Sequence, residues 1–339
     1  MADRSLEESR VRPLGLFRLA LHRFARGLAT LVGVAAIVFL LMNAAPGDPA
    51  SLALRTQAGR GTVSPDAVAA FRAEYGLDRP LPARFAAWLR RAALLDFGRS
   101  VQDGRPVRER IGETLSATVA LNVSALTLAL LIALPVGIVA ARRHGKFFDR
   151  ASGLALDLLF AAPPFVIGLA LLLLFAVRFR IFPVLGGAIE GPRGFVLPVL
   201  ALSLSAAAPA ARVVRSILLE AFASSAAAAG RARGEDTRAE VMRAIRQSAA
   251  QLAALVATLL PVTVAGSVLV ERLFSVRGTG ALLAEAVFSR DTPTVLGLTL
   301  LAAGVVVAGS VASDLVAAAC DPRVGLAEDR ASSGAEEGR

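Results

Sequence analysis

Six stretches of this chain lack charged side chains and are long enough to cross a lipid bilayer. A charged side chain in the middle of a bilayer costs about 3 kcal/mol even on a lenient scale. A helix rises about 1.5 Å per residue, so about 18 to 20 residues span the hydrocarbon. The mean hydropathy of +0.61 supports the same interpretation. The sequence therefore predicts an all-α integral membrane protein with six transmembrane helices, at 27–47, 114–141, 158–177, 194–211, 247–270 and 292–313.

The apolar stretches extend along the whole chain and leave no room for a separate soluble domain. We predict a cytoplasmic N-terminal segment at 1–26, a transmembrane domain at 27–319 and a cytoplasmic C-terminal tail at 320–339. Long loops are predicted within the transmembrane domain at 46–112 and 212–246. The first apolar stretch exceeds the roughly 7 to 15 apolar residues of a signal peptide, so we expect a retained helix.

The formal net charge is +10, and it comes almost entirely from arginine because Lys146 is the only lysine. No nucleic-acid-binding motif accompanies this charge, and we expect no nucleic-acid partner. Basic loops of membrane proteins lie in the cytoplasm, near anionic lipid. Arginine-rich segments at the start of the chain, at 142–150 and at 212–246 therefore predict that both termini are cytoplasmic. The loop at 46–112 then lies outside, with short amphipathic helices expected at 66–75 and 82–94.

The chain lacks the residue patterns of ATP hydrolysis and of metal binding. The glycine-rich loop that binds ATP phosphates ends in Gly-Lys-Ser/Thr, whereas the one lysine here lies in Gly145-Lys146-Phe147. His22 and His144 have neither the spacing of metal ligands nor a nucleophile beside them. We therefore expect no catalytic residue, cofactor or metal. Any uphill transport must draw its energy from a source outside this chain.

The segment from Arg215 to Gly234 predicts a helix, a break and a short second helix. Ser224 or Ser225 can cap the second helix, and Gly234 can end it. A capping box, Thr237-Arg-Ala-Glu240, is expected to open the helix that follows. Small residues would let a partner approach the short helix closely, and its arginines can pair with acidic groups there. An ordinary surface loop fits the same pattern.

This segment resembles the loop that docks on the ATPase in permeases of binding-protein-dependent ABC importers. Arg233 stands where the family has a lysine, and small residues replace the family's aromatic and charged members. Glu220, Arg231, Ala232 and Gly234 match the family's residues, and Ala228, Ala229 and Gly230 occupy the Glu-Ala-Ala positions of the broader superfamily. The candidate residues for coupling to the ATPase are Glu220, Ala228, Ala229, Gly230, Arg231, Arg233 and Gly234. Other motifs similar to those of the family follow in the family's order along nearly the whole chain. They include Pro46-Gly-Asp-Pro49, Asp96-Phe-Gly-Arg-Ser100, Pro163-Pro-Phe165, Glu271-Arg-Leu-Phe-Ser275, Gly278-Thr-Gly280 and Asp321-Pro-Arg323.

The resemblance is to the first permease subunit of the dipeptide, oligopeptide and nickel group. It implies a type I ABC importer permease fold in the bacterial inner membrane, with a large extracytoplasmic loop after the first helix. The chain would form half of a translocation pathway for peptides or a related small solute, without an ATPase site of its own. The implied partners are a second homologous permease subunit, two ATP-binding subunits and an extracytoplasmic substrate-binding protein. The segment ending at Gly234 would couple the chain to the ATP-binding subunits.

Two further sets of residues are candidates for roles in transport. Pro163, Pro164 and Phe165 would break the third helix and line the pathway. A kink stabilised by neighbouring helices fits these prolines equally well. Glu271 and Asp291 bracket the last outer loop and are candidates for contact with the binding protein. The alternative for both is an ordinary loop charge surrounded by water.

Two other classes of membrane protein compete with an ATP-driven importer. An ion-coupled secondary transporter is expected to carry carboxylates in mid-membrane or broken helices repeated in matching halves. A membrane-embedded enzyme needs a nucleophile with a base, or metal ligands, inside its spans. The sequence shows none of these patterns convincingly. The ion-coupled transporter is the main alternative.

Overall fold

The computed structural model describes residues 13–44, 48, 50, 51, 54, 64–74, 76–184 and 191–320. Side chains are described within these ranges from residue 23 to residue 312, except that of residue 262. Outside the described residues lie residues 1–12 of the predicted N-terminal segment and residues 321–339 of the predicted C-terminal tail. The same is true of most of the Pro46-Gly-Asp-Pro49 motif and of all of Asp321-Pro-Arg323.

The described residues form twelve α-helices, and the only β-pairing among them is an isolated bridge between Arg99 and Pro106. A π-helical segment, Leu172–Arg178, continues α6. The helices are α1 Pro13–Ala44, α2 Pro65–Glu74, α3 Leu81–Ala92, α4 Val107–Arg142, α5 Phe147–Ala161, α6 Pro164–Leu171, α7 Pro192–Ala223, α8 Ser225–Ala232, α9 Thr237–Gln247, α10 Ala249–Leu273, α11 Thr279–Phe288 and α12 Thr292–Cys320.

Four of these helices, α1, α4, α7 and α12, are each long and apolar enough to cross a membrane. Two bent elements bring the number of possible spans to six: α5 with α6 and its π-helical extension, and α10, which bends by 41° near Pro261. The described chain is thus an all-α membrane protein, as predicted. The two short helices expected in the first loop are present as α2 and α3.

The third span, predicted over 158–177 with a break at Pro163 and Pro164, consists of α5 and α6 on either side of a sharp bend. α5 ends at Ala161, α6 begins at Pro164, and the two axes differ by 100°. Ala162 and Pro163 have extended backbones, with ψ of 123° and 148°. A residue before proline is disfavoured in the helical conformation, so two consecutive prolines produce two extended residues here.

α4 and α7 pack along each other more extensively than any other pair of helices in the described chain. Small residues make this possible. A Cβ atom on Gly137 of α4 would lie 2.6 Å from Val214 Cγ1 and 2.9 Å from the Ala211 carbonyl oxygen of α7. Membrane helices associate through such close approaches because lipid is as apolar as a leucine side chain. The buried small residues of α7 include Ala201, Ala206, Ala207, Ala208, Ala210 and Ala211.

α1 lies at the edge of the bundle, where it packs on α12 and α3. A Cβ on Gly27 would meet Val307 of α12 at 2.5 Å. The other side of α1 exposes large apolar side chains, including Ile37, Leu40 and Leu41. Such a surface is stable in contact with lipid and not with water.

The close approach of α4 and α7 can be tested with Gly137→Ala. The added methyl group cannot fit without moving the two helices apart, because one of its neighbours is a backbone oxygen. Overpacking of this kind typically costs about 1 to 3 kcal/mol. We expect a lower midpoint of thermal unfolding for the purified chain in detergent. Gly112→Ala, in the same helix with no atom within 4 Å of the new Cβ, is the matched control. Equal unfolding midpoints for the two variants would contradict the packing described here.

Candidate functional site

α7 passes into α8 through Ser224, whose backbone is extended (φ −66°, ψ 156°). The Ser224 hydroxyl donates to the Ala221 carbonyl at 2.8 Å and accepts from the Ala227 N–H at 3.2 Å. One side chain therefore closes α7 and caps α8. The predicted break is confirmed, and Ser224, not Ser225, is the capping residue.

α8 ends in a Schellman motif closed by Gly234. Gly234 has a φ of +77°. Its N–H donates to the Arg231 carbonyl at 3.0 Å, and the Glu235 N–H donates to the Gly230 carbonyl at 3.1 Å. A side chain in this left-handed conformation costs about 1 to 2 kcal/mol, which explains the glycine.

The inner face of α8 consists of Ala227 and Gly230, both buried. Below Gly230, the Glu235 carboxylate accepts hydrogen bonds from Arg243 of α9, at 2.6 Å from Nη2 and 3.0 Å from Nε. A Cβ on Gly230 would collide with the Glu235 Oε2 atom. The absence of a side chain at Gly230 thus leaves room for an ion pair that links the end of α8 to α9. The hydrogen bond from Arg243 lowers the pKa of Glu235 below its usual value.

The outer face of α8 is exposed and nearly flat. Apart from arginines, no side chain on it is larger than that of serine, so the helix backbone is accessible to a partner. Within the described residues, neither Arg233 nor Glu220, at the end of α7, makes a side-chain hydrogen bond or ion pair, so both are available to a partner. The exposed residues of α8 and its end are Ser225, Ala226, Ala228, Ala229, Arg231, Ala232, Arg233 and Gly234.

Arg231 links α8 to both of its neighbours. Its Nη1 donates to the Phe222 carbonyl of α7 at 3.1 Å and to Glu240 Oε1 of α9 at 3.0 Å. The predicted capping box was therefore wrong, because Glu240 bonds to Arg231 instead of to the start of its own helix. Asp236 caps α9, accepting the Ala239 N–H at 2.9 Å. An aspartate directly before the first helical residue is as good a cap as threonine.

The segment α8–α9 is also connected to α4, and α7 is connected to the loop before α5. Arg142 at the end of α4 donates to Thr237 Oγ1 at 3.1 Å. Arg215 of α7 donates two hydrogen bonds to Asp149 at the start of α5, at 2.6 and 2.8 Å. Asp149 is buried and also accepts the Gly145 N–H at 2.9 Å. The two arginine-rich loops predicted to lie on one side thus lie at the same end of the bundle.

Glu271, a candidate for receptor contact, is fully buried at the end of α10. It accepts hydrogen bonds from Thr118 of α4 at 2.9 Å and from the Ala281 N–H at 3.0 Å. The start of α11 surrounds this carboxylate, and a Cβ on Gly278 or Gly280 would collide with it or with α10. A helix N-terminus stabilises an anion in this position. The prediction that Glu271 contacts a receptor directly is therefore wrong.

Asp291, the second receptor candidate, is also fully buried. Its carboxylate accepts from the Ser100 hydroxyl at 2.5 Å, the Val101 N–H at 3.1 Å, Arg110 Nη1 at 3.2 Å and the Thr294 hydroxyl at 2.6 Å. These groups belong to the loop after α3, to α4 and to α12. Asp291 is thus a buried junction of three parts of the chain and has no surface to offer a receptor.

Arg110 and Thr118, the α4 partners of these two carboxylates, were not identified from the sequence. Hydrogen bonds between residues 153 and 181 positions apart leave no local pattern that sequence spacing can detect. Other side chains at this end of the bundle are exposed instead. Arg272 lies over the ring of Phe288, 5.7 Å from its centroid, and Phe288 is 77% exposed.

The candidate pathway residues lie at the bend between α5 and α6. Pro164 is close to α10, since a Cβ on Gly266 would be 3.2 Å from Pro164 Cγ. Gly168 of α6 is similarly close to Leu273. Phe165 is 40% exposed. The predicted break is confirmed and is supported by neighbouring helices, and a pathway-lining role for these residues stays a prediction.

Comparison with known proteins agrees with this architecture. Residues 133–326 match the model of the binding-protein-dependent transport system inner membrane component, and residues 16–122 match the model of its N-terminal region. A protein of Brucella suis biovar 1 (strain 1330), provisionally named a peptide permease, is 30% identical over 91% of this chain and 99% of its own length. The metal-staphylopine import system permease of Staphylococcus aureus is 27% identical over 91% of this chain and 98% of its own length. The chain therefore belongs to the family of binding-protein-dependent transport system inner membrane components.

Proposed function

We propose that this chain forms half of a translocation pathway and receives the ATP-driven motion of partner subunits through α8. Members of its family are membrane permease subunits of ABC importers and are not themselves ATPases. The observation that carries the proposal is α8 itself: a short helix with a flat, exposed outer face, capped at both ends and bonded to α7 and α9. Because the chain belongs to this family, we propose an importer subunit in place of the ion-coupled transporter that the sequence left open.

The proposed partners are a second permease subunit, two ATP-binding subunits and an extracytoplasmic binding protein. The α8 end of the bundle carries the two arginine-rich loops, which supports a cytoplasmic position for this end and for both termini. Helices that alternate in direction bring the start of α1 and the end of α12 to the same side as α8. The exposed surface at the opposite end, around Arg272 and Phe288, is our proposed contact for the binding protein.

The proposed substrate is a short peptide or a related small solute. The relatives named for peptide permeation support the first possibility, and the relative named for metal-staphylopine import supports the second. Selectivity would reside largely in the binding protein, which delivers one class of ligand to the pathway. Stimulation of ATP hydrolysis by ligand-loaded binding proteins in the reconstituted complex would identify the class.

A cross-linking experiment tests whether α8 contacts the ATP-binding subunit. Cys320 is the only cysteine, so Cys320→Ser provides a background without thiols. Ala229→Cys, on the exposed face of α8, is labelled with a maleimide photo-cross-linker and irradiated in the assembled complex. We expect a covalent product that contains the ATP-binding subunit. Ala86→Cys, exposed on α3 at the opposite end, should give no such product. Equal products from both positions, or none from Ala229→Cys, would refute docking through α8.

A second experiment tests whether the end of α8 must be rigid for coupling. Gly234→Val forces a β-branched residue into a φ of +77°, although open space surrounds its Cβ. We expect membrane insertion to persist, ATP hydrolysis to continue and substrate uptake per ATP to fall several-fold, since about 1 to 2 kcal/mol of strain would distort the turn. Gly153→Val, with equal space around its Cβ and no positive φ, is the control. Unchanged uptake by Gly234→Val would contradict the proposal that the turn at Gly234 must be rigid for coupling.

A further inference from the structure

α3 lies between α1 and α4 in the chain and packs on two of the spans. Its inner face, Phe85, Trp88 and Ala92, forms an apolar cluster with Phe39 of α1 and Leu296 of α12. Phe39 lies five residues before the end of α1, and Leu296 lies four residues after the start of α12. At about 1.5 Å per residue, the cluster is roughly 6 to 8 Å inside the ends of these spans. α3 is therefore at the depth of the membrane surface.

The outer side of α3 is basic. Arg90 and Arg91 are exposed, and within the described residues their guanidinium groups make no hydrogen bond or ion pair. Arg84 extends the charge toward α1, with its guanidinium 5.8 Å from the centre of the Phe39 ring. α3 contains no acidic residue, and Asp96 beyond its end is engaged with the Gly98 N–H at 3.0 Å. The positive charge of this surface is thus not compensated by an acidic residue of α3, and the surface can bind an external anion.

Two leucines follow the arginines and are left uncovered by the described residues. Leu94 is 81% exposed and Leu95 is 71% exposed. Leu95 has a φ of +59°, where a glycine is usual, and the Asp96 N–H donates to the Arg91 carbonyl at 3.1 Å to close the turn. A leucine in a left-handed conformation is strained, and water is an unfavourable environment for it. The cost of exposure to water disappears if lipid covers this edge.

Trp88 lies on the inner face of α3. Its side chain is 5% exposed, and no acceptor within the described residues lies within hydrogen-bonding distance of its buried Nε1. Aromatic and basic side chains are both enriched where helices lie at a membrane surface. The helix α3 has an aromatic inner face, packed on α1 and α12, and a basic outer edge.

We propose that α3 is an interfacial helix and that its edge from Arg90 to Leu95 binds an anionic phospholipid of the surrounding bilayer. The guanidinium groups of Arg90 and Arg91 would bind the phosphate, while Leu94 and Leu95 enter the acyl region. A soluble protein partner is disfavoured because α3 packs on α1 and α12 below the ends of these spans, and because Leu94 and Leu95 are as exposed as the apolar side chains of α1. This site is separate from α8 and does not depend on the proposed transport role.

Trp88 is the only tryptophan of the chain, so its fluorescence reports lipid near α3 directly. The full-length chain is placed in nanodiscs that contain either brominated phosphatidylglycerol or brominated phosphatidylcholine at the same mole fraction. Bromine quenches tryptophan only at short range. We expect the anionic lipid to quench Trp88 about twofold more strongly than the zwitterionic lipid. Arg90→Gln combined with Arg91→Gln should abolish this difference. Arg79→Gln, an exposed arginine outside α3, should preserve it.

Equal quenching by the two lipids in the unchanged chain would overturn the proposal, and so would a preference that survives in the double arginine variant. A third contrary result is a double arginine variant that keeps its full lipid preference while the binding protein stimulates ATP hydrolysis of its complex less. That result would assign this surface to a protein partner and would also overturn the proposal. Leu94→Ser combined with Leu95→Ser retains the arginines and provides a second test. It should reduce quenching by both lipids, and unchanged quenching would contradict the insertion of the leucines.

Discussion

Hydrocarbon offers no hydrogen-bond partner, so a membrane chain can leave the helical conformation only where its own atoms or water satisfy the backbone. The turns around α8 satisfy their backbone with local groups although α8 lies at an exposed end of the bundle: the Ser224 hydroxyl acts at one end and the backbone bonds closed by Gly234 at the other. The break before α6 meets it differently. Pro163 and Pro164 have no N–H to satisfy, which reduces the number of donors that the bend exposes.

The same constraint governs the two buried carboxylates. Removing an ionised carboxylate from water is costly unless several donors compensate it. Glu271 is surrounded by Thr118 and by the first turn of α11, and Asp291 by Arg110 and three other groups. Each carboxylate therefore connects α4 to the last part of the chain. Replacement of either one would leave buried donors unpaired, so its loss would affect packing more than surface charge.

The sequence predicted those features that depend on local chemistry. The spans could be predicted from stretches without charged residues. The ends of α8 could be predicted from Ser224 and Gly234, because capping a helix and ending it require only neighbouring atoms. Features that depend on distant partners were not predictable. Glu271 and Asp291 looked like loop charges because their main partners lie 153 and 181 residues away. Pro163 and Pro164 predicted a break in the third span but not its angle of 100°, because an apolar run reports hydrophobicity and not direction.

The turns that flank α8 have a mechanical consequence. Each turn is closed by hydrogen bonds, and Arg231 connects α8 with α7 and α9 simultaneously. Since Arg142 joins α9 to α4, the end of a second long helix belongs to the same assembly. Few bonds in this segment can therefore rotate freely, and a force applied to α8 would deform the segment little. The segment would act as a stiff lever arm, so a small displacement at its surface would turn whole helices within the bilayer.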